Sequence, residues 1–150
     1  MSHVADVDLE IKDLDSLESA CKELGLELVR DQKTYKWWGT HVGDYPLPKG
    51  FTKNDMGKCE HAVRIPGNSE AYEIGICKRR DGRPGFTPLW DFFGSHGKSM
   101  MNVIGKEGEK LKQEYAAQVA TKHARKKGFT VTRTIREGNI ILNARRLARS

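Results

Sequence analysis

The sequence predicts an α+β domain in which an antiparallel sheet carries two helices packed on one face. Three observations support this fold class. Short stretches of alternating apolar and polar residues recur along the chain, as in half-buried strands. Two longer segments place apolar residues at helical spacing. The order strand–helix–strand–strand occurs near both ends of the chain, which predicts a pseudo-twofold βαββ repeat of the ferredoxin-like or a related type.

The elements of the first unit follow from residue spacing. Residues 7–11 alternate apolar and charged side chains, which indicates a strand. Residues 14–24 carry leucines at helical spacing, and Gly25 supplies the left-handed conformation that ends a helix. A second strand begins at Leu26, and residues 34–38 predict a third because they are rich in strand-favouring side chains.

The rest of the chain predicts one more helix and several strands. Residues 39–67 carry weak signals and predict mainly a loop, since prolines interrupt them. Residues 109–127 predict the second helix, because Leu111, Tyr115 and Val119 recur four residues apart. The alternating stretches predict short strands at 61–65, 72–77, 86–93, 129–135 and 140–145.

Length, cysteine content and hydropathy limit the class of protein. The 150 residues predict a single domain, 1–150, that is large enough to bury a core. Three cysteines at wide spacing argue against a disulfide framework and for a reducing compartment. No apolar run approaches membrane-spanning length, and the N-terminus lacks a signal-peptide pattern. We therefore expect a cytoplasmic protein with no membrane partner.

The formal charge of +6 is unevenly distributed. Residues 1–31 contain nine acids and three Lys or Arg, whereas residues 101–150 contain four acids and twelve Lys or Arg. This asymmetry is typical of a dipolar monomer that forms homo-oligomers, or of a C-terminal half that faces a polyanion. A solvated charged surface without either role is the simplest alternative.

Residues 72–99 contain the densest set of cations, aromatic side chains and glycines. Cations neutralise phosphate and aromatic faces stack on bases, so we expect a phosphate-bearing ligand here; an aromatic core beside a solvated turn is the alternative. The Gly- and Ser-containing loop 94–99 is not a P-loop, because Phe92 stands where that motif requires glycine. The predicted ligand-binding residues are Arg79, Arg80, Arg83, Trp90, Gly97, Lys98, Ser99 and, from an earlier segment, Trp38.

A second basic group lies at the end of the predicted second helix and in the strands that follow it. A basic stripe on a helix and an edge hairpin is typical of a nucleic-acid-binding surface. The alternative is pairing with the acidic N-terminal segment of a neighbouring subunit. The predicted nucleic-acid-binding or partner-binding residues are Lys122, Arg125, Lys126, Lys127, Arg133 and Arg145, accompanied by Arg136, Arg146 and Arg149.

Signals for metal binding and catalysis are weak. Cys59 and His61 carry metal-binding groups, but no second pair at zinc-ligand spacing follows, so we expect no metal or other cofactor. Neither a glycine-elbow serine nor an activated-cysteine signature is present. A spatial pair of Cys59 with a histidine, or of Asp91 with His96, is the remaining route to catalysis. No catalytic residue is predicted.

Five segments resemble one known family. They are Met1-Ser2-His3 ahead of an Asp- and Leu-rich first helix, Tyr72-Glu73-Ile74-Gly75, Leu89-Trp90-Asp91-Phe92-Phe93-Gly94, Leu111-Lys112-Gln113-Glu114-Tyr115-Ala116, and Gly128-Phe129 with Gly138-Asn139-Ile140. The chain is similar in these segments to a domain-of-unknown-function family of bacteria and phages that includes the plastid reading-frame-thirty-five protein. The resemblance spans nearly the whole chain and is strongest in its second half. It implies a single soluble, cytosolic domain and supplies no catalytic residues.

These patterns predict a non-catalytic binding module for a phosphate-bearing ligand, either a nucleotide-type small molecule or single-stranded nucleic acid. The alternative from another class is an interaction subunit that docks a partner protein or assembles into an oligomer. A small hydrolase or transferase that uses the same pocket is the third hypothesis.

Overall fold

The structure, a computed structural model, describes residues 2–146. This part of the chain forms seven strands and three α-helices, and a single 3₁₀ turn spans Lys53–Asp55. The elements are β1 (Val4–Asp6), α1 (Leu14–Glu23), β2 (Glu27–Arg30), β3 (His61–Arg64), β4 (Ile74–Lys78), β5 (Phe86–Asp91), α2 (Gly94–Ile104), α3 (Glu109–Lys126), β6 (Phe129–Arg136) and β7 (Asn139–Arg146). The predicted α+β class is confirmed.

Five strands form one antiparallel sheet in the order β1-β5-β4-β3-β2. Its register aligns Val63, Ile74 and Trp90 on one face, and all three helices bury their apolar residues against that face. Alternation places Ala62, Gly75 and Leu89 on the opposite face. The sheet is therefore buried on both sides.

The opposite face is covered by the long connection between β2 and β3. Tyr35, Phe51 and Met56 of this connection are buried against the sheet. Position 75 requires glycine because the Tyr35 ring lies against its backbone: a Cβ atom at position 75 would stand 2.2 Å from Tyr35 Cδ1. The connection, of which residues 39–60 are predicted as a loop, thus acts as the third layer of the domain.

Two predicted strands differ from the structure. Residues 34–38 form only an isolated bridge, Thr34 with Lys58, because Tyr35 is used to cover the sheet. Residues 7–11 follow β5 irregularly: the Val7 and Ile11 amides donate to the Pro88 and Phe86 carbonyls, each at 2.9 Å. Pro88 lacks the N–H that would continue the ladder toward β1, so the regular strand is confined to Val4–Asp6.

The predicted βαββ repeat is not confirmed. In the first half β2 pairs with β3 rather than with residues 34–38. In the second half β6 and β7 form a separate two-stranded sheet that packs on α3 and does not join the main sheet. The two halves share the order of their elements but not a common sheet.

The predicted loop 94–99 forms the first turns of α2 instead. Gly97 is buried there, and a Cβ at this position would stand 2.5 Å from the Phe92 carbonyl carbon. Gly97 therefore serves the close packing of α2 on the end of β5, which is a structural reason for the glycine.

Candidate nucleic-acid interface

The residues predicted to bind one phosphate-bearing ligand lie in two separate places. Arg79, Arg80 and Arg83 belong to the turn between β4 and β5, whereas Lys98 and Ser99 belong to α2, which begins after the other end of β5. A strand of this length spans about 17–20 Å. A single small ligand therefore cannot contact both groups.

Two members of the predicted site have structural roles. Trp90 is only 3% exposed, and its indole nitrogen donates to the Gly97 carbonyl at 3.3 Å, so it cannot stack on a ligand base. The Ser99 hydroxyl donates to the Ser95 carbonyl at 3.1 Å, within its own helix. Trp38, by contrast, is 54% exposed.

Asp91, at the end of β5, holds the segments around the start of α2 together. Its carboxylate is fully buried and accepts backbone N–H groups from His3 at 3.0 Å and from Trp38 and Phe93 at 3.1 Å. The His3 ring stacks on Tyr45 with centroids 4.9 Å apart. The His3 ring also contacts Phe92 and Phe93, which forms an aromatic cluster whose Phe93 is exposed; the Trp38 side chain, held nearby through its backbone amide, is exposed as well.

The turn between β4 and β5 lines a cleft of about 530 Å³. Its cations are largely neutralised. Arg79 pairs with Asp81 and, at 3.7 Å, with Glu10, while Arg80 lies over the Phe51 ring at 4.7 Å and 3.5 Å from Asp55. The hydrogen bonds from Arg79 lower the pKa of Asp81 to about 2, so this acid stays ionised. The cleft offers little net attraction for a phosphate group.

A different distribution of charge is found at the C-terminal end of α3 and on the β6–β7 hairpin. We call this region the basic surface. From residue 121 to 146 the sequence contains a single acid, Glu137. Within residues 2–146, only Lys122 and Arg133 of the basic surface form ion pairs, with Asp13 and Glu114 respectively. The cations without an ion-pair partner in that part of the chain are Arg125, Lys126, Lys127, Arg136, Arg145 and Arg146. Arg149, also predicted for this stripe, lies outside the described residues.

The hairpin is fastened to α3 by polar side chains. Glu114 is 4% exposed and accepts two hydrogen bonds from the Arg133 guanidinium, the longer at 2.7 Å. Gln113 donates to the Gly138 carbonyl at 3.2 Å and accepts from the Ile140 amide at 2.9 Å. The hydrogen bond to the carboxylate of Glu114 raises the pKa of Arg133, so the guanidinium remains charged. These contacts fix which face of the hairpin points outward.

A groove of about 500 Å³ between α1 and α3 continues the basic surface. Ser19 and Thr121 line it together with Lys122, Arg125 and Lys126, and the acid that also lines it, Asp15, pairs with Arg30 at 2.7 Å. The Lys122 ammonium is held in place by Asp13, 2.7 Å away. Hydroxyl groups beside cations are suited to contact phosphate oxygens. The groove therefore extends the candidate interface toward α1.

The residues considered for metal binding or catalysis are engaged elsewhere. The Cys59 thiol lies in the cluster under the long connection and donates to the Gln32 carbonyl at 3.2 Å. The His61 ring accepts a hydrogen bond from the Asp31 amide at 2.9 Å. It also contacts Phe86, which packs on the other side of the sheet. Burial raises the pKa of Cys59 to about 12, which disfavours a nucleophilic thiolate. Across the part of the chain that the structure describes, no three His, Cys, Asp or Glu residues are grouped to hold a metal.

Asp91 and His96 do not form the catalytic pair considered from the sequence. The hydrogen bonds of Asp91 come from three backbone amides, and the His96 ring faces Tyr72 at a centroid distance of 5.6 Å.

The helices between residues 2 and 146 include none with the length and hydropathy needed to cross a bilayer.

Comparison with known proteins gives no match to a family model, and no curated protein or solved structure is significantly similar to the chain. The resemblance to the bacterial and phage family stays a prediction. Homo-oligomerisation, a protein partner and a cytoplasmic location also stay predictions.

Proposed function

We propose that the protein is a nucleic-acid-binding module and that the basic surface holds the phosphate backbone. The observation that carries this proposal is the set of six cations on α3 and the hairpin without ion-pair partners among the described residues. Neutralising phosphates with such cations releases counterions, which supplies most of the sequence-independent affinity for nucleic acid. No chemical step is part of this role.

The basic surface supports binding better than the cleft beside the β4–β5 turn does. In the cleft, Asp6, Asp8, Glu10 and Asp81 offset the cations. Around the hairpin, Glu137 is the single acid over 26 consecutive residues, 121–146. A polyanion gains more from a surface whose positive charge is not already compensated. The nucleotide-type ligand remains the less supported form of the same hypothesis.

The proposal is tested by fluorescence anisotropy of a labelled oligonucleotide at several salt concentrations. The variant Arg125→Gln/Lys126→Gln/Lys127→Gln removes three cations from the basic surface. If these cations contact phosphates, the slope of log K against log salt becomes shallower by about 3. The affinity then falls at low salt, and the fold is unaffected because these side chains are exposed.

A matched control removes the same amount of charge from the cleft: Lys49→Gln/Arg80→Gln/Arg83→Gln. The proposal requires that this control bind like the unmodified protein. Loss of binding in the control alone would place the site at the β4–β5 turn. Absence of any salt-dependent binding, together with an oligomer that persists in high salt, would favour the assembly role instead.

A further inference from the structure

We propose that the β6–β7 hairpin enters the major groove of B-form duplex DNA and reads base edges with its outward face. This inference rests on the proposed function, because phosphate contacts from the basic surface would hold the hairpin in the groove. It goes further in two respects. The bound nucleic acid is a duplex rather than a single strand, and the hairpin recognises the base sequence in addition to attracting the phosphates by charge.

The hairpin is amphipathic, and its two faces are assigned by its register. Phe129, Val131 and Arg133 alternate along β6 on the face that meets α3, where Arg133 pairs with Glu114. The opposite face points away from the domain. Its cross-strand pairs are Thr130 with Arg145, Thr132 with Asn143, Thr134 with Ile141, and Arg136 with Asn139.

The outward face is made almost entirely of hydrogen-bonding side chains. Only Ile141 among the eight residues of those pairs lacks a polar side-chain group. Solubility alone would be served by any charged residues, whereas Thr, Asn and Arg are the side chains that pair with base edges. Asn bonds to adenine, Arg to guanine, and Thr contacts either a base edge or the thymine methyl group.

The dimensions of the hairpin match the groove. Two paired strands lie about 4.8 Å apart, and the major groove is about 12 Å wide, which admits a two-stranded ribbon. The hairpin joins no other strand within residues 2–146, so neither of its edges is covered by the main sheet. Arg125, Lys126 and Lys127 lie at its base, where they would reach the phosphates that border the groove.

The same surface is poorly suited to a single strand. Single-strand binding without sequence preference depends on exposed aromatic side chains on which bases stack. Phe129 is the one Phe, Tyr or Trp between residues 121 and 146, and the Arg146 guanidinium covers its ring at 5.5 Å. Duplex RNA is also a poor fit, because the major groove of an A-form helix is too deep and narrow for side chains to read.

The test compares a duplex DNA, one of its single strands and a duplex RNA of the same sequence, at one salt concentration. The expected order places duplex DNA first. Selection from a randomised duplex pool is expected to enrich a common sequence. Equal binding to all three polymers without enrichment would overturn the groove inference and leave the proposed function standing. Failure to bind any of them would refute both.

A neutral double variant isolates base readout from charge. Thr132→Ala/Asn143→Ala removes one outward cross-strand pair without changing the net charge. We expect the preference for the selected duplex over a scrambled one to fall about tenfold, with the salt dependence on scrambled DNA unchanged. The control Thr40→Ala/Asn102→Ala removes the same groups from exposed positions outside the hairpin. An equal loss in the control, or no loss in the hairpin variant, would contradict the assignment.

Discussion

Replacing Asp91 tests whether one buried carboxylate organises the segments around the start of α2. Asp91 is 0% exposed and accepts the amides of His3, Trp38 and Phe93 at 3.0–3.1 Å. An alanine at this position would leave three backbone donors without their acceptor. A buried donor that loses its partner costs about 1–3 kcal/mol, and partial rehydration reduces the sum. We therefore expect Asp91→Ala to lower the free energy of unfolding by about 4 kcal/mol.

The variant Asp91→Asn separates the effect of lost hydrogen bonds from the effect of lost side-chain volume. Oδ1 of Asp91 accepts from His3 and Phe93, whereas Oδ2 accepts from Trp38. An asparagine that keeps the first two bonds must turn its NH₂ group toward the Trp38 amide, which places donor against donor. One lost bond of this kind costs about 2 kcal/mol. The expected order of stability is Asp, then Asn, then Ala.

The measurement is urea denaturation followed by tryptophan fluorescence, which reports directly because Trp38 and Trp90 lie beside Asp91. Asp8→Asn is the matched control, since it removes an exposed acid with the same change of charge. An Asp91→Asn protein as stable as the original would refute the reasoning, because it would show that the carboxylate contributes no more than a neutral amide. Equal destabilisation in the control would point to net charge instead.

Three further predictions concern individual groups. The buried hydroxyl of Tyr35 has no hydrogen-bond partner among the described residues. Tyr35→Phe should therefore leave the free energy of unfolding unchanged or raise it by up to about 1 kcal/mol, and a clear loss of stability in urea denaturation would contradict this. Glu114→Gln should loosen the hairpin by removing the carboxylate that binds Arg133; hydrogen exchange should then accelerate about tenfold in β6 and β7 but not in β4, and uniform acceleration would instead mean global destabilisation. The Lys122 ammonium lowers the pKa of Asp13 from 3.8 to about 2, so the pair stabilises the fold above pH 4 and this contribution is lost as the pH falls from 4 toward 2. Lys122→Met should remove most of that pH dependence in acid titrations followed by circular dichroism, since hydrogen bonds from Ser16 contribute the rest, and an unchanged profile would exclude the pair as its source.

The elements with strong local patterns could be predicted from the sequence. The apolar spacing of α3 and the alternation of residues 129–135 and 140–145 correspond to α3 and to the β6–β7 hairpin. The cations of the basic surface could also be predicted, because the stretch contains one acid. Local sequence determines such features directly, without knowledge of distant contacts.

Features that depend on distant contacts could not be predicted. Residues 34–38 have strand-like composition, but Tyr35 is needed over Gly75 on the sheet. Nothing in the sequence marks Asp91 as the acceptor for amides from three segments, since an aspartate after a strand is common. The sequence could have predicted that the Arg79–Arg83 turn and α2 are far apart, because a continuous strand between two loops places those loops at its opposite ends.

The pairing of β1 with β5 has a consequence for the order in which the protein acquires its structure during synthesis. Val4 pairs with Asp91, so the first strand has no partner until the fifth has left the ribosome. Pairings between residues so distant in sequence are slow, because the intervening chain must lose entropy before the contact forms. At that stage the core is still incomplete, because Leu111 and Tyr115 of α3 have not yet left the ribosome. The hairpin pairs residues that are close in sequence, so the surface proposed to bind nucleic acid can form as soon as it emerges, without waiting for a distant segment.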